Sequence, residues 1–349
     1  MKKVLIGLSG GIDSSVGMML LKRDGWALEG ATYVTSEDRS AAEGARRLCD
    51  NEQVHHTVID LREEFKTSVI QYFIDEYMKG RTPNPCVICN PTIKWGRLME
   101  AADKMGCWGI ATGHYARIGE KNGRFFVRGG KDIKKDQSYF LYRLSQEQLK
   151  RTLFPLGELT KDEVRAFAAQ NGYNEIARMG ESQDICFLPD NDYRAFLRQH
   201  GCEAQKGHFI DVSGNVIGEH EGYPNYTIGQ RKGLKVAFGE PRYVVKIDAE
   251  RNEVTLGLKE NLIAKRCLVG DVVWQKWADF EDGAEVMAKY RYKTKAVSAR
   301  LYHKGDSVEV VFNDSADAIT PGQSVVWYDG EDVVGGGIII CSIDNLPLA

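Results

Sequence analysis

The stretch VLIGLSGGIDSSV occupies residues 4–16 and decides the fold expected for the N-terminal part of the chain. Its apolar run, residues 4–8, is typical of a buried strand in a parallel sheet. The glycines of residues 9–11 predict a tight turn, because glycine accepts positive φ and lets the backbone approach a ligand. Residues 13–15 predict a helix start, whose amide groups and dipole favour an anion. The stretch therefore predicts a phosphate-binding loop, without the Gly-Lys-Ser/Thr of a Walker loop or the spaced glycines of a dinucleotide turn.

The composition is that of a soluble globular protein of two or three domains, with 349 residues, 43% hydrophobic and 27% charged. No stretch is apolar for the length that spans a bilayer. The first three residues lead directly into the predicted strand, so we expect no signal peptide and a cytoplasmic location. The net charge of −3 excludes a globally basic nucleic-acid binder. An RNA partner would have to be held by local basic patches.

Strand and helix patterns alternate after the loop. Further strands are predicted at residues 28–34, 55–61 and 108–112, with helices at 40–50 and 65–78. This alternation predicts an α/β fold with a doubly wound parallel sheet. Ligands of such sheets bind at the carboxyl ends of the strands, where Ser9 and Tyr33 fall.

Helical periodicity disappears after Gly201, and short alternating strands separated by turn residues follow. This pattern is typical of small β-barrels or sandwiches. The change from helical to strand periodicity predicts an α/β domain over residues 1–189, a small central β-rich domain over 190–264 and a C-terminal β-barrel over 265–349.

Three of the eight cysteines, Cys86, Cys89 and Cys186, are candidates for redox or metal chemistry. Cys86 and Cys89 form a C-x-x-C pair on a proline-constrained loop, with Asn90 as the predicted N-cap and Pro91 as the first residue of a helix. A helix N-terminus lowers a thiol pKa and favours the thiolate. Cys186 is distant in sequence but belongs to the same predicted sheet edge.

Three interpretations of these thiols compete. Cys89 and Cys186 could be a sulfur-transfer pair, in which one carries a persulfide and the other resolves it as a disulfide. Cys86, Cys89 and Cys186 could instead ligate an iron–sulfur cluster with one open iron. Half of a structural zinc site is the weakest interpretation, because the sequence has no second C-x-x-C and no suitably spaced histidine pair.

Residues 289–300 contain five basic residues and no acid. Lysine and arginine there would hold phosphates, and Tyr290 or Tyr292 could stack on bases. The alternative is a solvated strand face.

Six groups of motifs, in order along the chain, resemble the bacterial tRNA 2-thiouridylase family. They are SGGIDSS (9–15), RTPNP with CN (81–85, 89–90), ATGHY (111–115), KDQSYFL (135–141), IGQRKGL (228–234), and TPGQ with GGG (320–323, 335–337). The first motif alone resembles the wider superfamily of ATP pyrophosphatases. The resemblance implies an ATP pyrophosphatase domain of the adenine nucleotide α-hydrolase type, a small central domain and a C-terminal barrel.

The resemblance also implies an activity. ATP, with Mg²⁺, would adenylate the C2 oxygen of the wobble uridine in the anticodon arm of tRNA, and sulfur would then replace that oxygen. The sulfur would come from a persulfide donor or relay protein, with no membrane involved.

Roles for individual residues follow from the same resemblance. The implied catalytic residues are Cys89, Cys186 and Asp13. The implied ATP-binding residues are Gly7, Leu8, Ser9, Gly10, Gly11, Ile12, Asp13, Ser14, Tyr33 and Gly113, although family members usually have methionine in place of Tyr33. The implied tRNA-binding residues are Asn84, Pro85, Cys86, His114, Lys135, Asp136, Gln137, Arg291, Tyr292 and Gln323.

One departure from the family pattern is Cys86, since typical members have aspartate there. The resulting triad of Cys86, Cys89 and Cys186 is similar to the cluster-binding triad of other tRNA thiolases, so a [4Fe–4S] cluster remains an alternative to the persulfide–disulfide route. Two other classes of function stay open. A small-molecule adenylating ligase would not need the triad or the basic strand, and a non-catalytic tRNA-binding sulfur-relay protein would not need an intact phosphate loop.

Overall fold

The computed structural model describes residues 2–178, 180, 185–234 and 239–343. The strands are β1 Lys3–Gly7, β2 Ala27–Val34, β3 His55–Asp60, β4 Gly109–Ala111, β5 Ala116–Lys121, β6 Arg124–Gly129, β7 Thr152–Leu153, β8 Gly207–Ile210, β9 Val216–His220, β10 Tyr243–Asp248, β11 Glu253–Gly257, β12 Ile263–Trp274, β13 Ala284–Lys289, β14 Val297–Lys304, β15 Ser307–Asp317, β16 Ser324–Asp329 and β17 Asp332–Ser342. The helices are α1 Ile12–Arg23, α2 Ser40–Glu52, α3 Arg62–Phe65, α4 Gln71–Met78, α5 Pro85–Cys89, α6 Leu98–Lys104, α7 Gln146–Lys150, α8 Lys161–Gln170, α9 Asn174–Ala177 and α10 Tyr193–Gln199. Short π-helical segments lie at Lys66–Ile70 and Asn90–Arg97, and 3₁₀ turns at Ser138–Phe140, Pro189–Asn191, Tyr223–Asn225 and Lys259–Leu262.

The N-terminal sheet is parallel, in the order β3-β2-β1-β4-β7, which confirms the predicted doubly wound fold. β1 is its central strand, and Val4, Leu5 and Ile6 are fully buried, as an apolar run covered on both faces requires. Strand order reverses between β1 and β4, because β2 and β3 lie on the other side of β1. This reversal opens a crevice at the carboxyl end of β1, where the loop of residues 9–11 lies.

The helix that carries the two neighbouring cysteines starts earlier than predicted. It begins at Pro85, with the Asn84 side chain accepting a hydrogen bond from the Cys86 amide at 3.2 Å. The prediction of Asn90 as N-cap is wrong, because Asn90 is buried and its side chain donates to the Phe140 carbonyl at 2.9 Å. Pro91 lies inside the helix, where the wider π-helical turn accommodates a residue that lacks an amide hydrogen.

The remaining chain is β-rich. A central sheet has the order β10-β11-β8-β9. The last six strands form a barrel in the order β12-β15-β14-β13-β16-β17, closed by pairing of β12 with β17, which confirms the predicted C-terminal barrel. The hairpin of β5 and β6 precedes the central sheet in sequence, yet β6 pairs with β17 of the barrel. Within the described part of the chain, no helix has the length and apolar character needed to cross a membrane.

Candidate active site

The turn after β1 is held by its own serines. The Ser9 amide donates to Ser14 Oγ at 3.1 Å, and the Ser14 and Ser15 hydroxyls donate to the Gly11 carbonyl at 3.2 and 2.9 Å. Gly10 has φ +74°, and a Cβ there would lie 2.8 Å from the Ala41 carbonyl oxygen. Gly11 is the N-cap of α1 and has no side chain to cap it, so the first amides of this 12-residue helix face the crevice. The local structure is that of an anion cradle.

The predicted ATP residue Gly113 lies directly against this cradle. A Cβ at Gly113 would come within 2.6 Å of the Ser14 amide nitrogen and 2.7 Å of the Asp13 carbonyl carbon. Real Cβ atoms do not approach backbone that closely, so glycine is required for α1 and the segment after β4 to meet here.

Replacing Gly113 with alanine is therefore expected to displace the helix start. Overpacking of this kind costs about 1–3 kcal/mol. Borne by the nucleotide complex, that cost raises the ATP dissociation constant about five- to 150-fold. Titration calorimetry with ATP measures this effect. Gly44→Ala is the matched control, because no atom lies within 4 Å of a Cβ at that helical position. Equal ATP affinity in the Gly113→Ala variant and the wild type would contradict the expectation.

Asp13 lies at the end of the cradle and is bound by a lysine that the sequence analysis did not identify. Lys161 Nζ lies 2.7 and 2.8 Å from the two Asp13 carboxylate oxygens, and the Tyr115 hydroxyl donates to Asp13 Oδ1 at 2.7 Å. Lys161 is only 8% exposed. Burial, followed by the hydrogen bond to Asp13, raises the pKa of Tyr115, so this hydroxyl keeps its proton. Both carboxylate oxygens are thus occupied by protein donors.

The position of Lys161 is set by the capping box that starts α8. Thr160 caps α8 and forms a capping box with Glu163, which makes Lys161 the first residue of the helix. The Lys161 amide donates to Asp132 Oδ2 at 3.0 Å. The capping box can be recognised in the sequence. The partner of Lys161 cannot, because Asp13 is 148 residues away.

The three cysteines of interest differ in exposure. Cys89 is buried, Cys86 is half-buried and Cys186 is exposed; all eight cysteines of the chain lie in its described part and are reduced thiols. Burial raises the pKa of Cys89 to about 12, Lys94 opposes this shift, and the charges of Cys186 and Cys86 add to it. The three thiols are therefore close enough to influence one another's ionisation.

Lys94 is a second site residue that sequence reasoning missed. It lies in the π-helical segment that follows Cys89, and its carbonyl accepts a hydrogen bond from the Tyr33 hydroxyl at 2.9 Å. Desolvation raises the pKa of the Cys186 thiol although that residue is exposed, and Lys94 opposes this shift too. The signal for Lys94 was its position five residues after Cys89, on the same helix.

The raised pKa of Cys89 has a consequence for its reactivity. Below pH 12 the thiolate is the minor form, so the alkylation rate of Cys89 by iodoacetamide should rise about tenfold per pH unit from pH 7 to pH 10. Lys94→Met removes the opposing charge and should lower the rate at every pH. Peptide mass spectrometry measures the rates, while circular dichroism checks that the fold persists. A plateau below pH 9 would contradict this expectation.

Tyr33 and His114 both contact the helical segment that follows Cys89. Burial, and after it the charge of Cys89, raises the pKa of Tyr33 well above its ordinary value, so the structure ties this predicted ATP residue to the cysteines through Lys94. His114 Nδ1 lies 2.8 Å from Thr112 Oγ1, and the ring centroids of His114 and Trp95 are 5.3 Å apart. Burial and the nearby Lys94 hold the pKa of His114 well below its usual range, so the imidazole is neutral at pH 7.

Several predicted RNA contacts also stabilise the loop that carries them. Asp136 accepts hydrogen bonds from the Gly130 and Ser138 amides at 3.0 and 3.1 Å. Gln137 Oε1 accepts from the Tyr115 amide at 2.9 Å. Lys135 is half-exposed. The loop is therefore a preformed surface beside the cradle.

Arg291 and Tyr292 lie where the barrel meets the other sheets. Arg291 Nη2 donates to the Ala318 carbonyl at 2.5 Å and also to Thr320 Oγ1. Tyr292 donates to the Asp136 carbonyl at 3.3 Å. Both side chains are thus engaged within the protein, and an RNA contact by Arg291 would have to share its guanidinium with these acceptors.

Comparisons with known proteins agree along the whole chain. A family described as the tRNA methyl transferase HUP domain matches residues 2–190, the tRNA methyl transferase PRC-barrel domain matches 194–258, and the aminomethyltransferase beta-barrel domain matches 264–339.

Two relatives that match over nearly their full length carry the same description. The tRNA-specific 2-thiouridylase MnmA of Amoebophilus asiaticus is 44% identical, covering 97% of this chain and 96% of the relative. The enzyme of the same description from Clostridioides difficile is 43% identical, covering 97% of this chain and 98% of the relative. A solved 4-thiouridine synthetase–RNA complex with bound ATP has a TM-score of 0.39 and 20% identity, covering 57% of this chain and 50% of that one, too low a likeness to carry weight. With its phosphate cradle, its grouped thiols and identities above 40% over nearly its full length, this chain belongs to the tRNA-specific 2-thiouridylase family.

Proposed function

We propose that the protein is an ATP-dependent tRNA-uridine 2-sulfurtransferase that converts the wobble uridine of tRNA to 2-thiouridine. One observation carries the proposal beyond family membership: the cysteine helix lies across the same sheet edge as the phosphate cradle. The link is the hydrogen bond from Tyr33, at the end of β2, to the Lys94 carbonyl. Nucleotide activation and sulfur chemistry would thus take place at one site.

In the first half-reaction, MgATP is the substrate and its phosphates bind to residues 9–14 and the first amides of α1. The uridine C2 oxygen attacks the α phosphorus, and pyrophosphate leaves with the electrons of the broken P–O bond. Mg²⁺ would enter bound to the phosphates of the nucleotide. Asp13 itself pairs with Lys161 and accepts a hydrogen bond from Tyr115. Asp13 acts by holding Lys161 at the cradle.

In the second half-reaction, exposed Cys186 receives a persulfide sulfur from a donor or relay protein, and buried Cys89 resolves it. The terminal sulfur attacks the activated C2 carbon, and AMP leaves. The Cys89 thiolate attacks Sγ of Cys186, breaks the S–S bond and leaves sulfur on the base. The products are 2-thiouridine and a Cys89–Cys186 disulfide, which a dithiol reductant must reduce before the next turnover.

The [4Fe–4S] alternative fits this geometry less well. Within the described residues, no three Cys, His, Asp or Glu side chains are arranged as a metal site. Cys89 is buried and Cys186 is exposed, so the thiols differ in their access to solvent. No step of the mechanism is routed through a cluster. The ultraviolet–visible spectrum and iron content of protein purified without oxygen, with Cys86→Ala alongside, test this: stoichiometric iron lost in the variant would favour the cluster.

Pyrophosphate exchange separates the proposed enzyme from the other two classes. A tRNA thiolase should exchange labelled pyrophosphate into ATP only when tRNA with an unmodified wobble uridine is present. A small-molecule ligase would exchange without tRNA, and a non-catalytic relay protein would not exchange at all. Either of these last two outcomes would overturn the proposal.

A further inference from the structure

A turn of the barrel, residues 320–323, contacts the loop that leads into the cysteine helix. The Thr82 amide donates to the Pro321 carbonyl at 2.9 Å, and Gln323 Nε2 donates to the Thr82 carbonyl at 2.8 Å. Gly322 has φ +89°, and a Cβ there would lie 3.0 Å from the Thr82 carbonyl oxygen. Both polar backbone groups of Thr82 are therefore held by a turn about 240 residues away.

The barrel turn is itself well anchored. The Gln323 amide donates to the Thr320 carbonyl at 3.2 Å, and the Ile339 amide on β17 donates to the Gln323 carbonyl at 2.8 Å. Arg291 bonds the Thr320 hydroxyl and the Ala318 carbonyl on the other side. A turn fixed on both sides can act as a rigid support for a neighbouring loop.

The loop, in turn, transmits its position to the cysteines. Arg81 pairs with Glu76, which is 5% exposed, so the loop is anchored before Thr82 as well. Only Pro83 and Asn84 separate Thr82 from α5, and residues that precede proline are restricted to extended conformations. The Asn84 side chain then caps α5. A displacement of Thr82 would therefore shift the helix start that carries the thiols.

We propose that Gln323 is a positioning residue of the active site: by holding Thr82, it sets the start of the cysteine helix and keeps Cys89 buried. The barrel is then part of the catalytic apparatus even before any RNA binds. This role differs from the tRNA contact that the family resemblance implies for Gln323, because it requires only the amide donor and a carbonyl of the same chain. Its consequence for sulfur transfer rests on the proposed function.

The first test needs no tRNA. In Gln323→Ala and Gln323→Glu, which both lack the donor to Thr82, alkylation of Cys89 by iodoacetamide should be about five- to tenfold faster. Tandem mass spectrometry assigns the label to Cys89 rather than Cys86, and the buried thiols Cys49 and Cys107 serve as references within the chain. Gln146→Ala is the matched control, since Gln146 is also half-buried and its Nε2 donates to the Phe125 carbonyl at 2.8 Å.

The second test is kinetic. Loss of positioning should lower kcat for thiolation about tenfold in Gln323→Glu while KM for tRNA changes less than twofold. An unchanged Cys89 alkylation rate, with only KM raised, would overturn the proposal and leave Gln323 as an RNA contact. An equal increase in the Cys89 alkylation rate in Gln146→Ala would also overturn the proposal. So would an equal increase in the alkylation rates of Cys49 and Cys107 in the Gln323 variants, because the whole fold would then have loosened. If the wild-type protein did not thiolate tRNA but the Gln323 variants still alkylated Cys89 faster than the wild type, the proposed function would be refuted. The positioning role of Gln323 would be upheld.

Discussion

Replacing Cys89 with serine is expected to abolish thiolation, with a loss in kcat on the order of 10³-fold or more. The hydroxyl has nearly the size of the thiol but cannot attack the S–S bond at neutral pH, so the base would stay linked to Cys186 Sγ through the transferred sulfur. Quantifying 2-thiouridine in nucleoside digests over time, with tRNA in excess over enzyme, measures the loss.

The step before sulfur transfer should survive this substitution. Pyrophosphate exchange with tRNA should remain within about threefold of the wild type, because the cradle at residues 9–14 is untouched. Cys107→Ser is the control for replacing a buried thiol elsewhere, and it should thiolate normally. Normal thiolation by Cys89→Ser would remove Cys89 from the mechanism, and loss of both steps would mean that the substitution damages the fold.

Replacing Lys161 with methionine should have the second-largest effect, on the ATP half-reaction. The ammonium lies within 2.8 Å of both Asp13 oxygens at the start of α1, and its loss removes a buried cation from the phosphate cradle. Removal of a preorganised charge of this kind lowers the rate about 10²- to 10³-fold. Exchange of labelled pyrophosphate into ATP, with tRNA present, measures it.

The same substitution should also lower stability. Breaking a fully buried pair costs 3–5 kcal/mol, and we expect about 2 kcal/mol here because the Asp13 side chain is 34% exposed. Lys131→Met is the matched control: Lys131 pairs with Glu163 of the same helix α8 at 3.1 Å, but both side chains are nearly half exposed, so the change should cost little.

A double variant distinguishes the two roles of Lys161. Asp13→Asn with Lys161→Met removes both charges and should restore most of the lost stability, since no charge is left unpaired. The exchange rate should remain low if the ammonium acts on the phosphates. Recovery of the rate together with stability would show that Lys161 only supports the fold.

The N-terminal sheet and the phosphate cradle were predictable because their signals are local. An apolar strand, two glycines and a helix start lie within residues 4–16, and each acts on its immediate neighbours through φ preference or a backbone amide. The motif at residues 86–89 likewise marked the thiols without any knowledge of the tertiary fold. The start of their helix was mispredicted, because Asn90 is engaged by Phe140, which is 50 residues away.

The sequence by itself determined the fold class, the phosphate loop, the thiols and, through the order of its motifs, the family. Only the tertiary structure decided which charged and polar groups meet: Lys161 with Asp13, and Gln323 with Thr82. Such pairs depend on how separate elements pack, and a lone lysine or glutamine in a sequence carries no mark of a partner 100 or more residues away. Local propensity sets the elements, while burial and long-range hydrogen bonding choose the residues that act together.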